Sequence, residues 1–173
     1  LPTGSAHRSG TTAALAREFQ RGAEDAGHEV FRFDTAFREV HPCIGCDRCR
    51  REGVCTFAAD DMKRLNPHLL AAEAVVFVSP IYYFDLSAQL KAVIDRFYAN
   101  DDALHGGKRA LLLTAMADED LGAAEGADTT FRSICAYLQW ENAGILNAAS
   151  ASTAEDLTEE DLRRAYDLGK TLK

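Results

Sequence analysis

The sequence lacks any run of apolar residues long enough to cross a lipid bilayer, and its first residues lack the charged and then apolar pattern of a secretion signal. We therefore expect a cytoplasmic protein without a membrane partner. The sequence also lacks an excess of positive charge, because 19 Lys and Arg residues stand against 27 Asp and Glu residues and leave a net charge of -8. Since proteins gain most of their affinity for nucleic acid from Lys and Arg, this balance argues against nucleic acid as a partner.

Internal repeats and linker-like stretches are also missing from the 173 residues. Hydrophobic residues make up 47% of the chain and charged residues 27%, which is typical of a globular chain that buries one core. We therefore expect residues 1–173 to form a single domain.

Strand patterns and helix patterns alternate along the chain, and the clearest strand is the continuous apolar run at 74–78. Because parallel neighbours need crossover connections, this alternation predicts an α/β fold with a doubly wound parallel sheet. Only Leu1, Pro2 and Thr3 precede the first glycine, so we expect the first strand to be truncated, with further residues upstream. Other strands are predicted at 28–34, 109–115 and 145–149, and helices at 12–26, 60–72, 87–97, 131–144 and 158–172.

A segment rich in small and hydroxylated residues leads directly into the first predicted helix. A helix start offers free backbone N–H groups and the positive end of the helix dipole, so it favours an anion. The segment therefore predicts a phosphate-binding loop, with an ordinary Ser/Thr helix cap as the alternative. His7 either contacts the phosphate or faces the solvent, and Arg8 could supply charge. The hydroxyl donors are Ser5, Ser9, Thr11 and Thr12, and the glycines that allow close approach are Gly4 and Gly10.

Four of the five cysteines lie close together in the sequence, at Cys43, Cys46, Cys49 and Cys55. In a reducing compartment such a group indicates metal binding or catalysis more often than disulfides. Four thiolates at this spacing suit an iron–sulfur cluster or a structural zinc ion, and a thiol-rich loop without metal is the third possibility. Cys135 lies on a helix face and is predicted to belong to the core.

Several motifs together resemble those of the NADPH-dependent FMN reductases of the flavodoxin superfamily, and the cysteine spacing resembles that of the iron–sulfur flavoproteins within it. The resemblance implies a five-stranded sheet in the order 2-1-3-4-5 with FMN at the switch point. The motifs are Gly4-Ser5-x-x-Arg8-x-Gly10-Thr11-Thr12, Cys43-x-x-Cys46-x-x-Cys49, Asp60-Asp61-Met62, Ser79-Pro80-Ile81-Tyr82, Ser87-Ala88 and Asp95-Arg96.

The resemblance also implies the positions that bind FMN and the activity. The family binds the FMN phosphate at the positions of Ser5, His7, Arg8, Ser9, Gly10, Thr11 and Thr12. It borders the flavin ring at the positions of Pro80, Ile81, Tyr82, Tyr83 and Phe84. It implies a [4Fe-4S] cluster on Cys43, Cys46, Cys49 and Cys55, and a homodimer or homotetramer.

The function predicted from this resemblance is an FMN-dependent oxidoreductase. It would move electrons from NAD(P)H as co-substrate, or from a protein donor, to a small-molecule or protein acceptor. The chemistry is centred on the flavin, so no catalytic side chain is predicted. Two alternatives remain open: a flavodoxin-type electron carrier without enzymatic activity, and a cysteine-based metal or redox module.

Overall fold

Strands and helices alternate in the folded chain as the sequence pattern predicts. The computed structural model describes residues 1–172. Its helices are α1 (Thr11–Asp25), α2 (Arg48–Glu52), α3 (Met62–Ala71), α4 (Ala88–Asp95), α5 (Asp101–Leu104), α6 (Glu125–Leu138) and α7 (Glu159–Lys170). Its strands are β1 (Pro2–Thr3), β2 (Phe33–Asp34), β3 (Ala74–Tyr82), β4 (Asp85–Leu86), β5 (Arg109–Ala115) and β6 (Glu141–Ala148). Within residues 1–172, none of the helices combines the length and apolar character needed to span a membrane.

Five strands form a parallel sheet in the order β2-β1-β3-β5-β6. Counted in chain order without β4, this is the order 2-1-3-4-5, so the predicted flavodoxin-like fold class is confirmed. The sixth strand, β4, pairs antiparallel with the end of β3, where Tyr82 lies opposite Asp85. At the centre of the sheet, Thr3 of β1 lies opposite Asp34 on one side and Val78 on the other.

Helices cover both faces of the sheet. On one face α3, α4 and α6 pack over a core that includes Phe77 and Leu112. On the other face α1 and α7 pack over Val78 and Leu113. Because apolar side chains are buried on both faces, β3 and β5 are continuous apolar runs rather than alternating ones.

Two glycines allow α1 and α7 to touch backbone to backbone. A Cβ added at Gly22 would lie 2.0 Å from the Tyr166 carbonyl oxygen, and one added at Gly169 would lie 2.1 Å from the Phe19 carbonyl oxygen. Since real Cβ atoms do not approach backbone so closely, any larger residue at either position would push the helices apart.

The structure differs from the sequence prediction at several strand ends and at one helix. Helix α6 contains Glu125–Leu138 rather than 131–144, because Gln139 ends it in the left-handed conformation and β6 begins at Glu141. β2 contains Phe33–Asp34 rather than 28–34, because β1 offers it only two residues to pair with. β3 continues to Tyr82, through residues that were predicted as a turn, because β4 pairs with its last two residues. β6 begins at Glu141 rather than at residue 145, since its first residues pair with β5. By contrast, β5 has the predicted bounds, and Cys135 is buried in the core as predicted.

Candidate functional site

Three segments meet at the carboxyl ends of the parallel strands: residues 4–12 (the first loop), residues 80–86 (the aromatic hairpin) and the chain that follows β6. The Gly4 N–H donates to the Val78 carbonyl at 2.8 Å, which places the first loop beside the end of β3. The Thr11 hydroxyl donates to the Ala151 carbonyl at 3.4 Å, which joins the start of α1 to the chain after β6. This is the edge where ligands bind in doubly wound sheets.

The start of α1 offers a set of unpaired backbone donors. Gly10 occupies the position before the helix, and no side chain caps it. The N–H groups of Thr11, Thr12 and Ala13 have no acceptor among residues 1–172, and the first turn carries no acidic side chain. Because α1 has 15 residues, its dipole adds to the attraction of these donors for an anion. An unsatisfied helix start of this kind fits the phosphate group of FMN.

The predicted phosphate-binding residues divide into a buried and an exposed set. Ser5, Thr11 and Thr12 are buried, and the Ser5 hydroxyl accepts from the His7 N–H at 3.0 Å. His7, Arg8 and Ser9 are exposed, while Gly10 is half-buried. The Arg8 guanidinium lies 3.7 Å from the centre of the Phe37 ring, so its charge is held beside the loop by an aromatic contact. The structure therefore brings the predicted residues together in one loop around the helix start.

The aromatic hairpin exposes most of its side chains. Pro80 and Ile81 are half-buried, whereas Tyr82, Tyr83 and Phe84 are exposed, with 98% of Tyr83 accessible. Tyr83 has a φ of 47° and Phe84 a φ of 68°, so the two-residue turn between β3 and β4 has the positive φ values of a type I′ turn. Bulky side chains rarely adopt this conformation. The turn therefore exposes aromatic side chains, although its backbone conformation is unfavourable for bulky residues. An exposed aromatic surface of this kind suits a planar ligand.

Two buried serines link the first loop to the aromatic hairpin, and the sequence prediction gave neither of them a place in the site. The Ser87 N–H donates to the Ser79 hydroxyl at 2.9 Å, and the Ser87 hydroxyl donates to the Gly4 carbonyl at 2.9 Å. Both serines are fully buried. Ser87 also caps α4, because its hydroxyl accepts from the Leu90 N–H at 3.4 Å. The Ser87–Gly4 hydrogen bond joins residues 83 positions apart, so no local pattern in the sequence predicts it.

The four predicted metal ligands lie on the cysteine loop, which we define as residues 42–57. Cys43 and Cys46 are exposed, and Cys49 and Cys55 are half-buried. All four border one small cavity, together with Arg96 and Tyr98. As placed, however, no three Cys, His, Asp or Glu side chains within residues 1–172 are arranged to hold a metal ion. The donor set suits a cluster or zinc, but its present arrangement does not, so the predicted metal remains a proposal.

One thiol on this loop, that of Cys46, differs in its pKa from the core thiol of Cys135. Hydrogen bonds from the Thr56 hydroxyl, which lies 3.3 Å from the Cys46 sulfur, and from the Arg48 backbone lower the pKa of Cys46. Burial raises the pKa of Cys135 to about 11. Because the thiolate is the reactive form and the metal ligand, the loop is more suited to thiol chemistry than the core is.

Helix α4 connects the two candidate sites. Ser87, just before its first residue, contacts the first loop, and Arg96, just after its last residue, borders the cysteine cavity. At 1.5 Å per residue, the eight residues of α4 span roughly 12 Å. The cysteine cavity therefore lies beyond the far end of α4 from the first loop.

The chain is similar in sequence to iron–sulfur flavoproteins and to FMN-dependent NADH:quinone oxidoreductases. The chain is 35% identical over 94 residues to an iron–sulfur flavoprotein of Methanocaldococcus jannaschii, covering 54% of this chain and 48% of that protein. It is 31% identical over 126 residues to an FMN-dependent NADH:quinone oxidoreductase of Methylorubrum extorquens, covering 64% and 62%. The chain thus spans about half the length of the iron–sulfur flavoproteins that it matches.

Solved structures share the fold at low sequence identity. The chain superposes on the NAD(P)H:quinone oxidoreductase from Methanothermobacter marburgensis with a TM-score of 0.73 and 20% identity, covering 99% of this chain and 94% of that one. It superposes on the Trp repressor binding protein from Bacillus subtilis with a TM-score of 0.73 and 16% identity, covering 99% and 97%. Residues 3–149 match the sequence profile described as NADPH-dependent FMN reductase. The chain belongs to the NADPH-dependent FMN reductase family.

Proposed function

We propose that this protein is an FMN-dependent oxidoreductase that takes electrons from NADH, NADPH or a protein donor and passes them to a small-molecule or protein acceptor. The observation that carries the proposal is the uncapped start of α1, with three free N–H groups beside the buried hydroxyls of Ser5 and Thr12. Membership of the family supports it.

In this proposal each segment of the site has a separate task. The first loop binds the phosphate through backbone N–H groups and hydroxyls, and Arg8 adds positive charge at the solvent side. The aromatic hairpin borders one side of the ring, with Ile81 packing its base against the core and Pro80 lying opposite Ala115 of β5. When bound, FMN supplies the electron-transfer chemistry, and the protein supplies position and an apolar surface.

The proposal is tested by flavin binding and nicotinamide oxidation. We expect the purified protein to bind FMN more tightly than riboflavin, because the donors of the first loop recognise the phosphate. We expect the FMN-loaded protein to oxidise NADH or NADPH in the presence of an artificial acceptor. Equal affinities for the two flavins would reject the phosphate site. FMN binding without nicotinamide oxidation would instead favour the electron carrier.

A second part of the proposal concerns the cysteine loop, which we propose to carry an iron–sulfur cluster. Two observations favour it: the four cysteines border one cavity, and several relatives are named iron–sulfur flavoproteins. Anaerobic reconstitution should give about four irons per chain. Cys46→Ala should lose the iron and keep its affinity for FMN. Metal analysis that finds zinc, or no metal, would reject the cluster.

A further inference from the structure

A buried ion pair joins Asp60, which lies just after the cysteine loop, to Arg96, which lies just after α4. The Arg96 guanidinium lies 2.6 Å from the Asp60 carboxylate, and the two side chains are 3% and 2% exposed. Asp60 precedes α3, and Arg96 follows α4. The carboxylate also accepts from the backbone N–H groups of His41, at 3.1 Å, and Met62, at 3.0 Å. The carboxylate is therefore fully engaged with partners on three segments.

The same guanidinium holds both ends of the cysteine loop. Arg96 donates to the His41 carbonyl at 2.8 Å and to the Phe57 carbonyl at 3.1 Å. His41 comes just before the loop, and Phe57 is its last residue. Their rings also stack, with centres 4.7 Å apart. One side chain thus brings the two ends of the loop together.

The burial of apolar side chains cannot take over the role of Arg96 in holding the cysteine loop. No residue from 41 to 59 is buried, so the cysteine loop has no hydrophobic core of its own. A second arginine, Arg50 on α2, pairs with Asp101 at 2.9 Å and with Asp102 at 3.1 Å, but its side chain is half-exposed. Because exposed pairs contribute little, the buried pair is the main constraint on the loop. A buried ion pair is a weak source of stability, and fixing a geometry is its better-supported use.

Arg96 also has a direct relation to the cavity among the cysteines. It borders that cavity, and its Nε is buried without a hydrogen-bond partner among residues 1–172. A buried polar atom without a partner is costly, and a bound group commonly explains it.

We propose that Arg96, paired with Asp60, is the positioning residue of the cysteine loop: it joins the ends of the loop so that the four cysteines share one cavity. The inference rests on the second part of the proposed function, in which this cavity takes a metal centre. It assigns a role to two motif residues, Asp60 and Arg96, that the flavin site does not use.

The test measures thiol proximity without metal or flavin. The full-length, reduced, metal-free protein is treated with dibromobimane, which becomes fluorescent when two neighbouring thiolates each displace a bromide. Monobromobimane, which needs only one thiol, reports accessibility. In Arg96→Lys and Asp60→Asn we expect bridging to slow by about tenfold, as the loss of hydrogen bonds to a charged group predicts, while monobromobimane labelling stays unchanged. Arg163→Lys, in an exposed pair on α7, is the matched control and should bridge like wild type.

The outcomes separate this inference from the proposed function. Wild-type bridging rates in both variants would overturn it, as would a wild type that does not bridge. A parallel loss of FMN affinity and melting temperature in both variants would also overturn it, because the pair would then hold the whole fold. Titration with Co²⁺ tests the metal: a thiolate-to-cobalt absorbance in wild type that weakens in Arg96→Lys supports the inference. Absence of Co²⁺ binding by a wild type that bridges, together with slowed bridging in both variants, would reject the metal centre and support the positioning role.

Discussion

At the scale of single residues, the first loop offers an anion two kinds of donor, backbone N–H groups and hydroxyls. A substitution by Ala removes a hydroxyl and leaves the backbone N–H groups in place. Ser5 and Thr12 are both buried beside the helix start, so water cannot readily replace them. Their contribution to FMN binding can therefore be measured separately.

We expect the double variant Ser5→Ala/Thr12→Ala to bind FMN more weakly by about 2–4 kcal/mol, taking ~1–2 kcal/mol for each hydrogen bond to a charged group. Quenching of flavin fluorescence measures the affinity. The matched control is Thr129→Ala/Ser133→Ala, which removes the same two hydroxyl types from the exposed side of α6. Unchanged FMN affinity in the first double variant would refute the role of the hydroxyls.

Asp60 gives a pH dependence of stability. Burial by itself would raise the pKa of this carboxyl, but hydrogen bonds from Arg96 and from the His41 and Met62 backbones outweigh it and lower the pKa. A lowered pKa means that the carboxylate stabilises the fold above its unfolded pKa of about 4, and that this contribution is lost as the pH falls through the folded value.

We therefore expect the free energy of unfolding of wild type to fall more steeply below about pH 4 than that of Asp60→Asn, which cannot titrate at this position. Urea unfolding between about pH 3 and 6 measures the difference. Asp95→Asn, which alters an exposed pair with Lys91, is the control. Parallel curves for wild type and Asp60→Asn would show that the pair does not ionise as described.

At the scale of elements, the contact between α1 and α7 depends on glycine. In Gly22→Ala the new Cβ would lie 2.0 Å from a backbone oxygen that no rotamer change can move. We expect a loss of about 1–3 kcal/mol in the free energy of unfolding, the range for an overpacked contact. Gly122→Ala, where the nearest atoms belong to a movable Asp120 side chain, is the control and should change stability little. Equal urea midpoints for the two variants would contradict the close contact.

The turn of the aromatic hairpin exposes aromatic side chains, and its positive φ values lower the stability of the fold. Phe84→Gly removes a bulky side chain at a φ of 68°, so we expect the flavin-free protein to gain about 0.5–1 kcal/mol in stability. If Phe84 borders the ring, the same variant binds FMN more weakly. Gln139→Gly, at a φ of 56° after α6, is the matched control for the backbone effect. A gain in stability at both positions with unchanged FMN affinity would remove Phe84 from the site.

At the scale of the whole molecule, local patterns predicted the long helices and strands, but they missed the short α2, α5 and β4 and the links between elements. The bounds of β5 and the end of α1 follow from apolar periodicity and turn residues, which act within a few positions. The Ser87–Gly4 hydrogen bond and the Arg96–Asp60 pair join positions 83 and 36 residues apart. Single-sequence periodicity carries no information on such pairs. The motifs named these residues, but only the folded chain shows that they touch.

The position of α4 has a consequence for electron transfer. One end of this helix contacts the loop proposed for FMN, and the other meets the arginine that closes the cysteine loop. The helix therefore separates the first loop from Arg96, at the cysteine cavity, by roughly 12 Å. Lengthening the cysteine loop would leave this separation unchanged, whereas adding a turn to α4 would increase it. If the cysteine loop carries a metal centre as we propose, the length of α4 sets part of the distance between that centre and the FMN site.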